Sequence, residues 1–185
     1  MPSLYTFTEY SAEWPRCFNE EAQRLRLMLG EELVDVHHTG STSVPGLASK
    51  PIIDLVPVVR DIAFLDRHGK LFEDAGYKAW GEYGHPGRRF FSKDRGAYRT
   101  HNLHCYEMSH PDIELRLAFC AYLRSNAPAR REYEALKREA YARHPADISA
   151  YCGVKDSWIE RTLPVALQWY RQQAHGTRGA SGERF

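Results

Sequence analysis

The residues best suited to chemistry cluster early in the chain, in His38-Thr39-Gly40-Ser41-Thr42-Ser43-Val44-Pro45-Gly46-Leu47 and Lys50-Pro51-Ile52-Ile53-Asp54. At Gly40 and Ser41 a turn without an intruding Cβ lets backbone N–H groups, together with the Ser41 and Thr42 hydroxyls, converge on phosphate oxygens. Asp54 interrupts an otherwise apolar run over residues 52–59. A lone carboxylate there is costly to bury unless the strand end opens to a site or meets a cation. Magnesium takes oxygen ligands and bridges phosphates, so Asp54 is read as its ligand. Lys50 is placed to face an anionic ligand as a point charge.

A second group lies in Gly84-His85-Pro86-Gly87-Arg88-Arg89-Phe90-Phe91 and Arg99-Thr100-His101-Asn102-Leu103-His104. Arg88 and Arg89 follow a glycine-rich stretch, a position suited to clamping phosphate or carboxylate oxygens with a guanidinium fork. Strand alternation lets only one of them face a site. The same period of two puts Asn102 and His104 on one face and Glu107 on the other. His104 is thus a candidate metal ligand or phosphate donor. Asp54, His104 and Arg88 are the candidate catalytic residues, Gly40, Ser41, Thr42, Lys50 and Arg89 the candidate phosphate-binding residues, and Asp54 and His104 the candidate metal ligands. Structural alternatives stand beside these: an ordinary turn at Gly40, an Asp54 paired with Lys50 or Arg88, and core histidines at His38 and His104.

The elements that must hold these residues follow from periodicity. Trp14, Phe18, Ala22, Leu25 and Leu29 recur at helical spacing after a Ser11 cap. Strands are expected over 33–38 and 52–59, a helix over 62–75, a flexible loop over 81–89, and a hairpin made of Phe90-Phe91 and residues 99–107 around a turn at 93–96. Helices are expected over 112–125, 128–143 and 147–173, the last broken around Gly153. Trp14, Phe18, Tyr122, Tyr133, Tyr141, Trp158 and Trp169 read as core, and Lys137 as part of a solvated helix face. Residues 1–173 are expected to form one α+β domain, a mixed β-sheet flanked by helices with a helical C-terminal third. Residues 174–185 are expected to be an unordered tail.

Composition narrows the class. The chain of 185 residues has 25 lysines and arginines against 24 acidic residues, so there is no global field of the kind that draws a protein to nucleic acid or to an anionic membrane. No apolar run is long enough to span a bilayer. Cys17, Cys105, Cys120 and Cys152 show no disulfide or zinc spacing, which suits reduced thiols and a cytoplasmic location.

The four ordered blocks, the last being Tyr133-Glu134-Ala135-Leu136-Lys137, resemble the signature of the GrpB family of predicted nucleotidyltransferases. The resemblance spans nearly the whole chain outside the tail. It implies a nucleotidyltransferase-like fold with a cleft near the Gly-Ser turn. The leading expectation from the residues is magnesium-dependent transfer of a nucleotidyl or related phosphoryl group from a nucleoside triphosphate, or another phosphate-bearing small molecule, to a small acceptor. Two departures matter. Nucleotidyltransferases usually carry a second carboxylate two residues after the first, where this chain has Val56, and a family Arg-Asp pair is replaced by Cys120-Ala121. The alternatives are a nucleotide- or partner-binding protein that has lost turnover, and a metal-assisted phosphoesterase using His104 and Asp54.

Overall fold

Five strands, β1 (Leu33–Thr39), β2 (Ile53–Val59), β3 (Tyr77–Ala79), β4 (Arg89–Arg95) and β5 (Tyr98–Glu107), form one mixed sheet in the order β1-β2-β5-β4-β3. The computed structural model describes residues 5–179. Only the pairing of β2 with β5 is parallel, and the other three are antiparallel. β2 has neighbours on both edges and is buried on both faces, which explains its unbroken apolar character apart from Asp54. The chain forms two compact units, Met1–Ile113 and Glu114–Phe185.

In the first unit, the two faces of the sheet are chemically distinct. Val36, Ile53, Leu55, Leu103 and Cys105 point to one face, where they pack with Trp14, Ala22, Leu25 and Leu29 of the helix α1 (Glu13–Leu29). Ser11 closes the start of α1 by accepting the Glu13 N–H at 3.2 Å. Leu65 and Phe72 complete this core. They come from two short helices, α2 (Ile62–Arg67) and α3 (Gly69–Asp74), where periodicity alone expects one helix over 62–75. The break falls at His68, whose backbone N–H and ring Nδ1 both lie on the Phe64 carbonyl, at 3.0 and 2.9 Å. That double claim ends the helix. Two further differences from the sequence reading are local: β3 is a three-residue edge strand too short to leave a pattern, and the hairpin turns on Gly96-Ala97, since Arg95 pairs with Tyr98.

The other face carries the polar row. Thr39 pairs with Asp54, Asp54 with Asn102, and Asn102 with Ser92, while His104 pairs with Phe90 one step along. Val56, Val58 and Tyr106 form a small apolar cluster beyond them, with Ile113 against it.

One buried acid ties α1 to the sheet edge. Glu21 accepts hydrogen bonds from the Tyr77 hydroxyl at 2.8 Å, from Lys93 Nζ at 2.8 Å and from Arg24 at 2.9 Å. Burial pushes its pKa up, but the Lys93 ammonium and the Tyr77 hydroxyl outweigh that and hold the carboxyl below its usual range.

The second unit is helical, as expected for the C-terminal third. It comprises α4 (Pro111–Ser125) from Glu114 onward, α5 (Ala127–Arg143) and α6 (Ile148–Gly179). Asn126 caps α5 by accepting the Ala129 N–H at 3.0 Å, and Arg130 covers the last carbonyls of α4, those of Leu123 and Arg124. Tyr133 stacks on Trp158 at 4.8 Å, with Phe119 edge-on to both. α6 runs through Gly153 and Pro164 without the break expected at Gly153. Burial of Tyr151, Trp158 and Ala166 along it outweighs the weak helix preference of one glycine. Lys137 is not on a solvated face: it is 1 % exposed, with Nζ 5.4 Å from the Tyr133 ring centre. Of the segment read as an unordered tail, residues 180–185 lie outside the described residues, and α6 takes in those up to Gly179.

Gly40, just past β1, has φ +69, and a Cβ built on it meets Asp54 Oδ2 at 2.2 Å. Gly40→Ala is therefore expected to destabilise the protein by about 2–4 kcal/mol, from left-handed backbone strain plus overpacking, as read from denaturant unfolding. Adding Asp54→Ala is expected to recover part of that loss. Glu21→Gln is expected to cost about 2–3 kcal/mol at neutral pH because Lys93 loses its anion. Since the folded pKa of Glu21 is lowered, its contribution is complete above the unfolded value near pH 4.3 and disappears as the pH falls through the folded one. Stability measured from pH 7 down to pH 3 should therefore fall less steeply in the variant than in the native chain.

Candidate functional site

The site is assembled where β1 ends and β2 begins. Antiparallel pairing sets Thr39 opposite Asp54, so the next residue, Gly40, turns the chain directly over the carboxylate. Gly40 leads into a 3-10 turn, Ser41–Ser43, closed by the Ser43 N–H and hydroxyl on the Gly40 carbonyl at 3.2 and 2.8 Å. The predicted phosphate turn and the predicted acid are thus in van der Waals contact. Ser41 is half-buried, and its hydroxyl makes no hydrogen bond among the described residues. Thr42 is different. It is buried, and its hydroxyl donates to the Ile52 carbonyl at 3.2 Å while accepting from His38 Nε2 at 3.1 Å. The Thr42 hydroxyl therefore holds the turn onto the strand. His38, half-buried, stacks on Phe18 with ring centres 4.7 Å apart.

Asp54 is 26 % exposed at its side chain. Its Oδ1 accepts a hydrogen bond from Asn102 Nδ2 at 2.9 Å and lies 3.6 Å from His104 Nε2. Its Oδ2 faces Gly40. Burial raises the Asp54 pKa, but His104, the Asn102 hydrogen bond and the charge of Lys50 outweigh burial and hold the carboxyl below its usual range. The acid is therefore an anion at neutral pH with one oxygen toward the turn. Arg99 Nη1 donates to Asn102 Oδ1 at 3.2 Å, which fixes the amide with its NH₂ toward Asp54.

Arg88 sits behind His104. It is 3 % exposed and donates Nε to the Glu82 carbonyl at 3.1 Å, Nη2 to the Tyr83 carbonyl at 2.6 Å and Nη1 to His104 Nδ1 at 3.2 Å. A guanidinium can only donate, so His104 accepts at Nδ1 and carries its proton on Nε2, toward Asp54. The imidazole is then a hydrogen-bond donor on the site face and offers no lone pair there to a metal. Arg88 is a loop anchor and a partner of His104 rather than a phosphate clamp. Arg89 lies on the opposite face, as the alternation requires, and its guanidinium holds Asp66 of α2 through two hydrogen bonds of 2.6 and 2.7 Å. It does not join the site. Lys50 does stay within electrostatic reach of Asp54, with Nζ 5.4 Å from the Tyr5 ring centre. Glu107 accepts the Ile62 N–H at 3.2 Å at the start of α2, away from the acid.

These residues fit a cation held by one carboxylate whose remaining oxygen ligands come from phosphate and water, which is the habit of magnesium. They do not supply a carboxylate pair. Val56, where a second acid belongs, is fully buried, and among the described residues no cluster of three His, Cys, Asp or Glu side chains is placed to hold a metal. Asn102, which strand parity sets on the His104 face, stands in the row with Asp54, and Ser92 of β4, which was not named from the sequence, joins it. Ser92 lies on a different strand from His104, so its place in the row follows only from the pairing of β4 with β5.

A family model described as "GrpB protein" matches residues 5–164. The chain is 41 % identical over 170 residues to the UPF0157 protein YqkA of Bacillus subtilis, covering 91 % of this chain and 49 % of that one, so it spans about half the length of that relative. Its structure is similar to the crystal structure of the conserved protein GrpB from Enterococcus faecalis, with TM-score 0.85 and 40 % identity over 89 % of this chain and 99 % of that one. A likeness to Cid1 in complex with its short product ApU, at TM-score 0.51 and 14 % identity over 80 % of this chain and 48 % of that one, concerns the fold alone. With the motif blocks, the sheet order and the matched family model in agreement, the chain belongs to the GrpB family.

Proposed function

We propose that the protein binds a nucleoside triphosphate, or a similar phosphate-bearing small molecule, in the notch of Gly40 and Asp54. The reaction proposed is transfer of a nucleotidyl group to a small acceptor, whose oxygen displaces pyrophosphate. One observation carries this reading: an ionised carboxylate pressed against a glycine turn, with a histidine N–H beside it. Asp54 would hold a magnesium ion, which when bound neutralises phosphate charge as the bond shifts. The turn at Gly40 and Ser41 gives phosphate oxygens an approach that no side chain blocks. His104 Nε2–H, oriented by Arg88, donates toward the anion, and Lys50 adds positive potential. Catalysis of this kind is mainly positioning and electrostatics.

The buried Val56 favours a second reading, nucleotide binding without turnover, since two-metal chemistry needs another acid. The four cysteines are free thiols, and among the described residues no helix is long and apolar enough to cross a membrane. Both facts support a cytoplasmic site of action.

Thermal unfolding with each nucleoside triphosphate, with and without magnesium, tests the proposal. A ligand at a hundred times its Kd adds about 2.7 kcal/mol, which raises Tm by roughly 5–10 °C for a chain of this size. The rise is expected to need magnesium and to vanish in Asp54→Asn. Stabilisation indifferent to both magnesium and Asp54 would remove the metal role, and no stabilisation by any nucleotide would remove the whole reading. Mass spectrometry of reaction mixtures then separates adduct formation from binding alone.

A further inference from the structure

The loop between β3 and β4 carries two aromatic side chains that the phosphate reading leaves unused. Trp80 donates its indole N–H to Ser92 Oγ at 2.8 Å, and Ser92 stands in the row with Asn102 and Asp54. Tyr83 stacks on Phe90 with ring centres 5.2 Å apart and planes 17° apart. Phe90 in turn pairs with His104, the rings being 5.1 Å apart. Two chains of contact thus lead away from the carboxylate, one through His104 and Phe90 to Tyr83, the other through Asn102 and Ser92 to Trp80.

Tyr83 is 62 % exposed, so burial gives little reason to keep a large ring there. Its backbone is left-handed, with φ 47, a conformation disfavoured for a bulky non-glycine residue. What holds it is the buried Arg88, which donates to the Tyr83 carbonyl and to His104 with the same guanidinium. One ring face rests on Phe90. Trp80, 38 % exposed, lies 5.7 Å from Tyr83 and has Lys78 Nζ 4.2 Å from its ring centre. An exposed ring, a second aromatic beside it and a cation within reach are the elements of a stacking platform for a base. The ring contacts of Tyr83 with Phe90 and of Phe90 with His104, whose Nε2 lies 3.6 Å from Asp54 Oδ1, join this platform to the phosphate notch.

We propose that Tyr83, with Trp80 beside it, stacks the nucleobase of the nucleotide whose phosphates occupy the notch of Gly40 and Asp54. This rests on the phosphate reading above and adds where the base goes. Every base has a π-face, so the platform accepts more than one base, and discrimination among them is weak.

Calorimetric titration of the full chain with ATP and with inorganic tripolyphosphate, both in magnesium, tests the assignment. Tyr83→Asn removes the ring and keeps a residue type that tolerates the left-handed backbone. It is expected to weaken ATP binding about 5- to 150-fold and to leave tripolyphosphate binding unchanged. Tyr83→Phe is expected to keep the native affinity for both. Undiminished ATP affinity in Tyr83→Asn, or equal loss of both ligands, overturns base stacking. A native chain that binds tripolyphosphate as tightly as ATP also overturns it and leaves the phosphate notch standing. A native chain that binds neither removes the notch and the platform together.

Discussion

The approach of the Asp54 carboxylate to the Cα of Gly40 constrains everything else on the site face. A Cβ on Gly40 meets Oδ2 at 2.2 Å, so the turn tolerates only glycine and the strand end tolerates no slip in register. Pairing of Thr39 with Asp54 on one side and of Asn102 with Asp54 on the other locks that position from both neighbouring strands. A shift of one residue would turn the carboxylate into the helix-covered core and move the apolar residues out. Hydrophobic burial on one face therefore holds a charge in place on the other.

The second constraint is how the charge is kept available. A direct pair between Arg88 and Asp54 would neutralise the acid and close the site. Instead an imidazole stands between them, accepting from the guanidinium at Nδ1 and presenting Nε2 to the carboxylate. Asn102 satisfies the same oxygen, Oδ1. The arrangement lowers the acid's pKa while one oxygen stays turned to the glycine. Arg88 meanwhile joins the loop carbonyls of Glu82 and Tyr83 to the sheet, so a glycine-rich segment becomes a fixed wall.

Membership of the GrpB family and the fold shared with GrpB from Enterococcus faecalis frame the sheet that carries Asp54. They do not account for Val56, which belongs to an apolar cluster with Val58 and Tyr106 and is committed to packing. In the helical unit, Lys137 belongs to the same interior as Tyr133, a setting in which the aliphatic stem packs and the ammonium meets an aromatic face.

Several features were legible in the residues themselves because they arise from short-range physics. Helical spacing from Trp14 to Leu29, the apolar run broken by Asp54, the glycine turn, and the period of two that pairs Asn102 with His104 all depend on neighbours a few residues away. The same holds for the mixed α+β character and the helical end. Partner choice was not legible. Whether Arg88 or Arg89 met the site, whether Thr42 was spent on Ile52, which nitrogen of His104 carried the proton, and that His68 would split a helix all depend on groups brought together from distant strands and loops. Hydrogen-bond donors are finite and each is used once, so only the folded arrangement decided which of them remained for a ligand.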